Sequence, residues 1–64
     1  MEDDGTISMR LRHDLKGPLT VIAGYAELLA LRDDDDLRME ASRMILDAVM
    51  QLRTSIDEIA SELD

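Results

Sequence analysis

The chain has no cysteine, no tryptophan and no phenylalanine among its 64 residues, and it has one histidine, one tyrosine and one proline. Without cysteine there is neither a disulfide nor a thiolate zinc site, and a single histidine excludes a histidine-rich metal site. The near absence of aromatic residues, beside abundant alanine, leucine and methionine, favours helix over sheet. A chain of this size buries only about 60% of its unfolded surface, so we expect association to stabilise it.

Basic residues are also scarce, since 7 Lys and Arg face 15 Asp and Glu and give a net charge of −8. A nucleic-acid partner would require a basic stripe, and attraction to an anionic membrane is disfavoured. No apolar run approaches the ~18–20 residues of a membrane-spanning helix, and the acidic start Met-Glu-Asp-Asp is unlike a signal peptide. We therefore expect no nucleic-acid partner, no membrane contact by this segment and a cytoplasmic location, even if the parent protein is membrane-anchored.

Two helical patterns flank a short acidic break and predict one domain over residues 1–64. The first helix is predicted at about 6–31, the loop at 32–36 and the second helix at about 37–63. A loop of about five residues makes the helices antiparallel neighbours. The predicted fold is an all-α helical hairpin that forms a homodimeric four-helix bundle, because the apolar stripes are too wide for one hairpin to cover. The residues expected in the core are Ile7, Leu11, Leu15, Pro18, Ile22, Ala26 and Leu29, then Leu37, Ala41, Met44 or Ile45, Ala48, Leu52, Ile56, Ile59 and Leu63.

Acidic residues also mark the expected beginnings of the helices. Asp3, Asp4 and Thr6 are candidate caps of the first helix, and Asp36 is the predicted N-cap of the second. The run 33–36 is interpreted as a solvated loop with a built-in cap. It lacks the alternating ligand spacing and the glycine of a calcium loop, so we expect no metal site there.

His13 is predicted to face water. At about 100° per residue, it lies about 200° from Leu11, which belongs to the core stripe. A neutral imidazole is a good nucleophile near pH 7. From the helical spacing alone, a reactive histidine and an ordinary surface histidine both remain open.

His13 opens the run His-Asp-Leu-Lys-Gly-Pro-Leu, with an acid directly after it and a proline five positions on. This run resembles the H-box of two-component sensor histidine kinases, and the two-helix pattern resembles the dimerisation and histidine-phosphotransfer domain that carries the box. The resemblance implies that His13 is the phosphoacceptor and that Asp14 is the general base, which holds the second ring nitrogen and fixes the tautomer. Pro18 cannot bond the Asp14 carbonyl, and Gly17 adds flexibility, so both residues are expected to shape the backbone at the site.

The resemblance also implies partners. His13 would take the γ-phosphoryl group of ATP from a kinase domain and pass it to an aspartate of a response-regulator receiver domain. The resemblance places receiver docking at Thr20, Gly24 and Tyr25, where Gly24 either admits a partner helix or is simply a tolerated glycine. No P-loop or other glycine-rich nucleotide motif occurs. We therefore expect no cofactor on this chain, with ATP and Mg²⁺ supplied through the kinase domain, and the chain would be part of a protein-histidine kinase rather than a complete enzyme.

One position departs from the family pattern. Many members carry Thr or Asn four residues after the histidine, where the side chain positions water for dephosphorylation of the regulator, but this chain has Gly17 there. The resemblance thus implies phosphoryl acceptance and transfer without implying phosphatase activity. Two alternatives remain open, namely a stand-alone phosphotransfer protein of a phosphorelay and a purely structural dimerising hairpin.

Overall fold

Two long helices joined by a short connection make up the computed structural model, which describes the backbone of residues 2–63 and the side chains of residues 7–63. Helix α1 spans Glu2–Leu31 and helix α2 spans Asp35–Leu63. They lie side by side in a hairpin whose principal extents are 48 × 17 × 11 Å. The prediction of an all-α helical hairpin is confirmed.

Both helices begin earlier than the sequence pattern predicts. Helix α1 starts at Glu2 rather than at residue 6, and the connection covers 32–34 rather than 32–36. An apolar stripe does not mark the polar residues that extend a helix beyond its apolar face. The candidate caps Asp3, Asp4 and Thr6 lie outside the residues whose side chains are described.

Asp34 is the N-cap of α2. Its Oδ1 accepts hydrogen bonds from the backbone N–H groups of Asp36 at 3.0 Å and Leu37 at 3.2 Å, which are otherwise unpaired donors of the first turn. The prediction that Asp36 caps the helix was wrong. Asp35 and Asp36 instead occupy the first turn of α2, where the positive end of the helix dipole favours acidic side chains.

The acidic run is held by arginine as well as by this cap. Arg38 donates to Asp33 at 2.7 Å and to Asp35 at 2.9 Å, and Arg32 lies 3.4 Å from Asp34. Within residues 7–63, no group of three or more His, Asp or Glu side chains is arranged to hold a metal ion. Asp33, Asp34 and Asp35 therefore hold the connection and the first turn of α2 by capping and by ion pairs.

The core is a narrow strip between the helices. Its buried residues on α2 include two alanines, Ala41 and Ala48, whose small side chains let the helices approach closely. Leu37 and Ile59 lie buried near the two ends of this strip, and among the described side chains of α1, those from residue 7 onwards, Pro18 is buried. The predicted core residues that are half-buried are Ile7, Leu11, Leu15, Ile22, Leu29, Ile45 and Leu52.

Other predicted core residues are exposed in the hairpin. Ile56 is 50% exposed, Leu63 is 64% exposed, and Ala26 and Met44 are also exposed.

At about 100° per residue, Ile56 and Ala26 lie roughly 60° to one side of the centre of the core stripe on their helices. Since the helices are antiparallel, these deviations bring both residues to the same side of the hairpin. We call this side the apolar flank, and its exposed residues are Leu19, Ala26, Val49, Ile56 and Leu63.

Candidate functional site

His13 stands almost fully in water, with 89% of its side chain exposed. It lies in the middle of α1, and the helical spacing turns it away from the strip that packs against α2. The prediction of an outward-facing histidine is confirmed. The imidazole is therefore accessible to another protein without any change in the packing of the hairpin.

Asp14 turns its carboxylate towards the imidazole. Successive helix residues diverge by about 100°, so neighbouring side chains do not normally meet. Here Oδ1 of Asp14 lies 3.4 Å from Nδ1 of His13, a long hydrogen-bond distance, and the Asp14 side chain is only 30% exposed. When Nδ1 carries the ring proton, it donates to Asp14, and the lone pair of Nε2 remains for reaction.

Arg10 connects this carboxylate to the second helix. Its Nε lies 3.8 Å from Oδ2 of Asp14. Its Nη1 donates to both carboxylate oxygens of Glu62, near the end of α2. A guanidinium is charged at any ordinary pH, and the hydrogen bond with Glu62 raises the pKa of Arg10 above its ordinary value.

Neither Arg10 nor Glu62 belongs to the H-box or to the apolar stripes of the sequence. The spacing of four residues between Arg10 and Asp14 is a recognisable signal of a helical ion pair. Glu62 gives no local signal, because it lies 52 residues from Arg10 in the chain and their contact depends on the register between the two helices.

The backbone around the site is continuous. Helix α1 runs through Pro18, which is buried, so the deformation expected there does not interrupt the helix. Pro18 has no N–H, and the Asp14 carbonyl consequently lacks its helical partner. A Cβ placed on Gly17 would meet nothing within 4 Å. A side chain at position 17 therefore has room to project into water on the His13 side of the helix.

Thr20, Gly24 and Tyr25 share a groove of about 560 Å³, which lies on the side of the hairpin opposite the apolar flank. A Cβ on Gly24 would meet nothing within 4 Å, so packing within the chain gives no reason for glycine there. The hydroxyl of Thr20 donates to the Lys16 carbonyl at 2.7 Å. His13 does not line the groove. The other residues that line the groove are Val21, Glu27, Leu28, Leu31 and Met44.

The sequence model of the His Kinase A (phospho-acceptor) domain, HisKA, matches residues 6–63. Because the match covers nearly the whole chain, the protein belongs to the HisKA family, the phosphoacceptor and dimerisation domains of histidine kinases. The resemblance seen in the H-box is thereby confirmed. Neither a curated protein nor a solved structure gives a match. Neither helix, over the residues described, is long and apolar enough to cross a membrane.

Proposed function

We propose that His13 accepts the γ-phosphoryl group of ATP from a separate ATP-binding kinase domain and passes it to an aspartate of a response-regulator receiver domain. The observation that carries this proposal is the position of His13, which stands 89% exposed in the H-box of a HisKA domain with Nδ1 beside Asp14. An imidazole that contributed only to packing would be buried or hydrogen-bonded to the core.

The chemistry follows from the two ring nitrogens. Nε2 attacks the γ-phosphorus in line, the bond from that phosphorus to the β,γ-bridging oxygen breaks, and ADP leaves with the bond's electron pair. The ring would then be a phosphorylated imidazolium, whose Nδ1 proton passes to the Asp14 carboxylate as general base. The receiver aspartate later attacks the same phosphorus, and Nε2 leaves as neutral imidazole once Nδ1 has regained its proton.

The chain itself would supply neither ATP nor magnesium. It has no glycine-rich nucleotide motif, so we assign the nucleotide and its Mg²⁺ to the kinase domain. Phosphoryl transfer from ATP would also require this segment to lie in the cytoplasm, where ATP is available.

A second copy of the chain is the proposed occupant of the apolar flank. Half-exposed Ile56 and Leu19, both on this flank, would be covered when two hairpins pack into a four-helix bundle. This arrangement buries apolar surface that one hairpin leaves in water. It also leaves His13 and the groove accessible, since they lie away from the flank.

The groove is the proposed docking surface for the receiver domain. Gly24 lets a partner helix approach the α1 backbone, and Tyr25 offers a half-buried aromatic ring beside it. At about 1.5 Å per residue, Thr20 lies roughly 10 Å along the helix from His13. A domain seated in the groove would thus be close enough to present an aspartate to the phosphorylated ring.

Labelling with radioactive ATP tests the proposal. When the chain is incubated with a competent ATP-binding kinase domain and ATP, we expect label on the wild-type chain that is labile in acid and stable in base, as a phosphoramidate is. His13→Gln should remove all labelling and preserve helicity by circular dichroism, because the core does not use this side chain. Persistent label on His13→Gln, or loss of its helicity, would overturn the assignment of His13, and a wild-type chain that takes no label would favour the purely structural hairpin.

A further inference from the structure

We propose that Arg10, anchored to α2 by Glu62, is a positioning residue that holds the Asp14 carboxylate beside His13. The inference rests on the proposed function, in which Asp14 acts as general base. It adds a requirement that the H-box does not contain, because Arg10 precedes the box and Glu62 belongs to the other helix.

The first support is the placement of Arg10 on α1. It precedes His13 by three residues and Asp14 by four, so it is a neighbour of both on the helix surface. Side chains on a helix lean towards its N-terminus, which inclines His13 and Asp14 towards Arg10. The contacts agree with this placement. Oδ1 of Asp14 faces Nδ1 of His13 at 3.4 Å, and Oδ2 lies 3.8 Å from Nε of Arg10.

The second support is the anchor on α2. An arginine side chain has many rotamers, and ordering it costs conformational entropy. Here Nη1 donates to both oxygens of Glu62, which fixes the guanidinium between the two helices. The guanidinium is planar, so holding Nη1 also restricts the orientation of Nε, which faces Asp14. The position of the base therefore depends on the register between α1 and α2.

The exposure of the Arg10 and Glu62 side chains indicates that their ion pair positions Asp14 rather than stabilises the fold. The side chains of Arg10 and Glu62 are 44% and 51% exposed, and ion pairs with such exposure contribute little to folding. The Asp14 side chain is less exposed, at 30%, so it is less free to change its orientation in water. Loss of the Arg10–Glu62 pair should therefore lower the rate of phosphorylation and leave the midpoint of thermal unfolding nearly unchanged.

The test measures initial rates of His13 phosphorylation by a competent kinase domain at saturating ATP, as a function of the concentration of this chain. Arg10→Gln should lower the maximal rate about tenfold, a smaller decrease than the one expected when the base Asp14 is itself replaced. KM for the chain should stay unchanged. Arg10→Lys should restore part of the rate.

Glu62→Gln, which acts only through Arg10, should lower the rate by a smaller factor than Arg10→Gln does. In the Asp14→Asn background, Arg10→Gln should cause no further loss, because the two residues act as a unit.

The matched control is Arg53→Gln, which removes the same charge from an exposed arginine that has no ion pair with the described side chains. It should keep the wild-type rate. Equal rates for wild type and Arg10→Gln would overturn the inference while leaving the phosphoacceptor role of His13 intact. A further tenfold loss in the Asp14→Asn background, or loss of helicity in both Arg10→Gln and Glu62→Gln, would also overturn it. A wild-type chain that takes no label would overturn the proposed function together with this inference.

Discussion

At the scale of single residues, His13 is chemically separate from the packing that forms the hairpin. Its side chain is 89% exposed and contacts Asp14. Substitutions at the site can therefore change chemistry without changing the fold.

Asp14→Asn should slow phosphorylation of His13 by about 10²-fold or more, the usual scale for loss of a positioned base. The amide cannot accept the Nδ1 proton as a carboxylate does, although its oxygen can still accept a hydrogen bond. Rapid-quench measurement of the first turnover with a kinase domain checks this, and circular dichroism should show unchanged helicity. A rate within threefold of wild type would exclude Asp14 as the base.

Gly17→Asn should create or increase dephosphorylation of a phosphorylated receiver domain, because the side chain has open space on the His13 side of α1. Replacing a helical glycine should also raise the thermal midpoint slightly, since glycine costs up to about 1 kcal/mol against alanine. Release of inorganic phosphate from the receiver is the measurement, and Ala23→Asn, at an exposed position of the same helix outside the groove, is the control. Vigorous phosphatase activity of the wild-type chain would contradict this expectation.

At the scale of the helices, the beginning of α2 depends on one carboxylate among four adjacent ones. Asp34→Ala should destabilise the chain by about 1 kcal/mol, because it removes the acceptor for two first-turn N–H groups. Asp36→Ala leaves the cap in place and should have a smaller effect. Urea unfolding followed by circular dichroism compares the two variants at one protein concentration. The reverse order of stability would mean that Asp36 is the cap after all.

The sequence predicts the helices better than it predicts their beginnings. The stripes of apolar residues identify both helices and place Ala41, Ala48 and Ile59 correctly in the core. They do not locate the cap, because four consecutive aspartates are equally good candidates and the choice depends on how the connection turns. The same limit applies at the site. The H-box run identifies His13, but the Arg10–Glu62 pair depends on a register that no local pattern encodes.

At the scale of the whole molecule, the apolar flank predicts a dimer. Sedimentation at micromolar concentration should give about twice the 7.2 kDa mass of one chain. Ile56→Asp should return the mass to that of a monomer and lower the helicity, because it places a charge in the dimer core.

The control for the dimer is Leu46→Asp. Leu46 is 61% exposed, comparable to Ile56 at 50%, but it lies about 80° further around α2, on the side away from α1. This variant should remain dimeric. A stable, helical wild-type monomer at micromolar concentration would contradict the four-helix bundle.

The position of Tyr25 has an experimental consequence. It is the one aromatic residue of the chain, so all the intrinsic fluorescence of the protein comes from a phenol in the groove. A partner that covers the groove would change the surroundings of this ring and hence its emission. Dimerisation through the opposite flank would leave the emission nearly constant. The chain thus carries a built-in optical probe that distinguishes its two proposed associations without any added label.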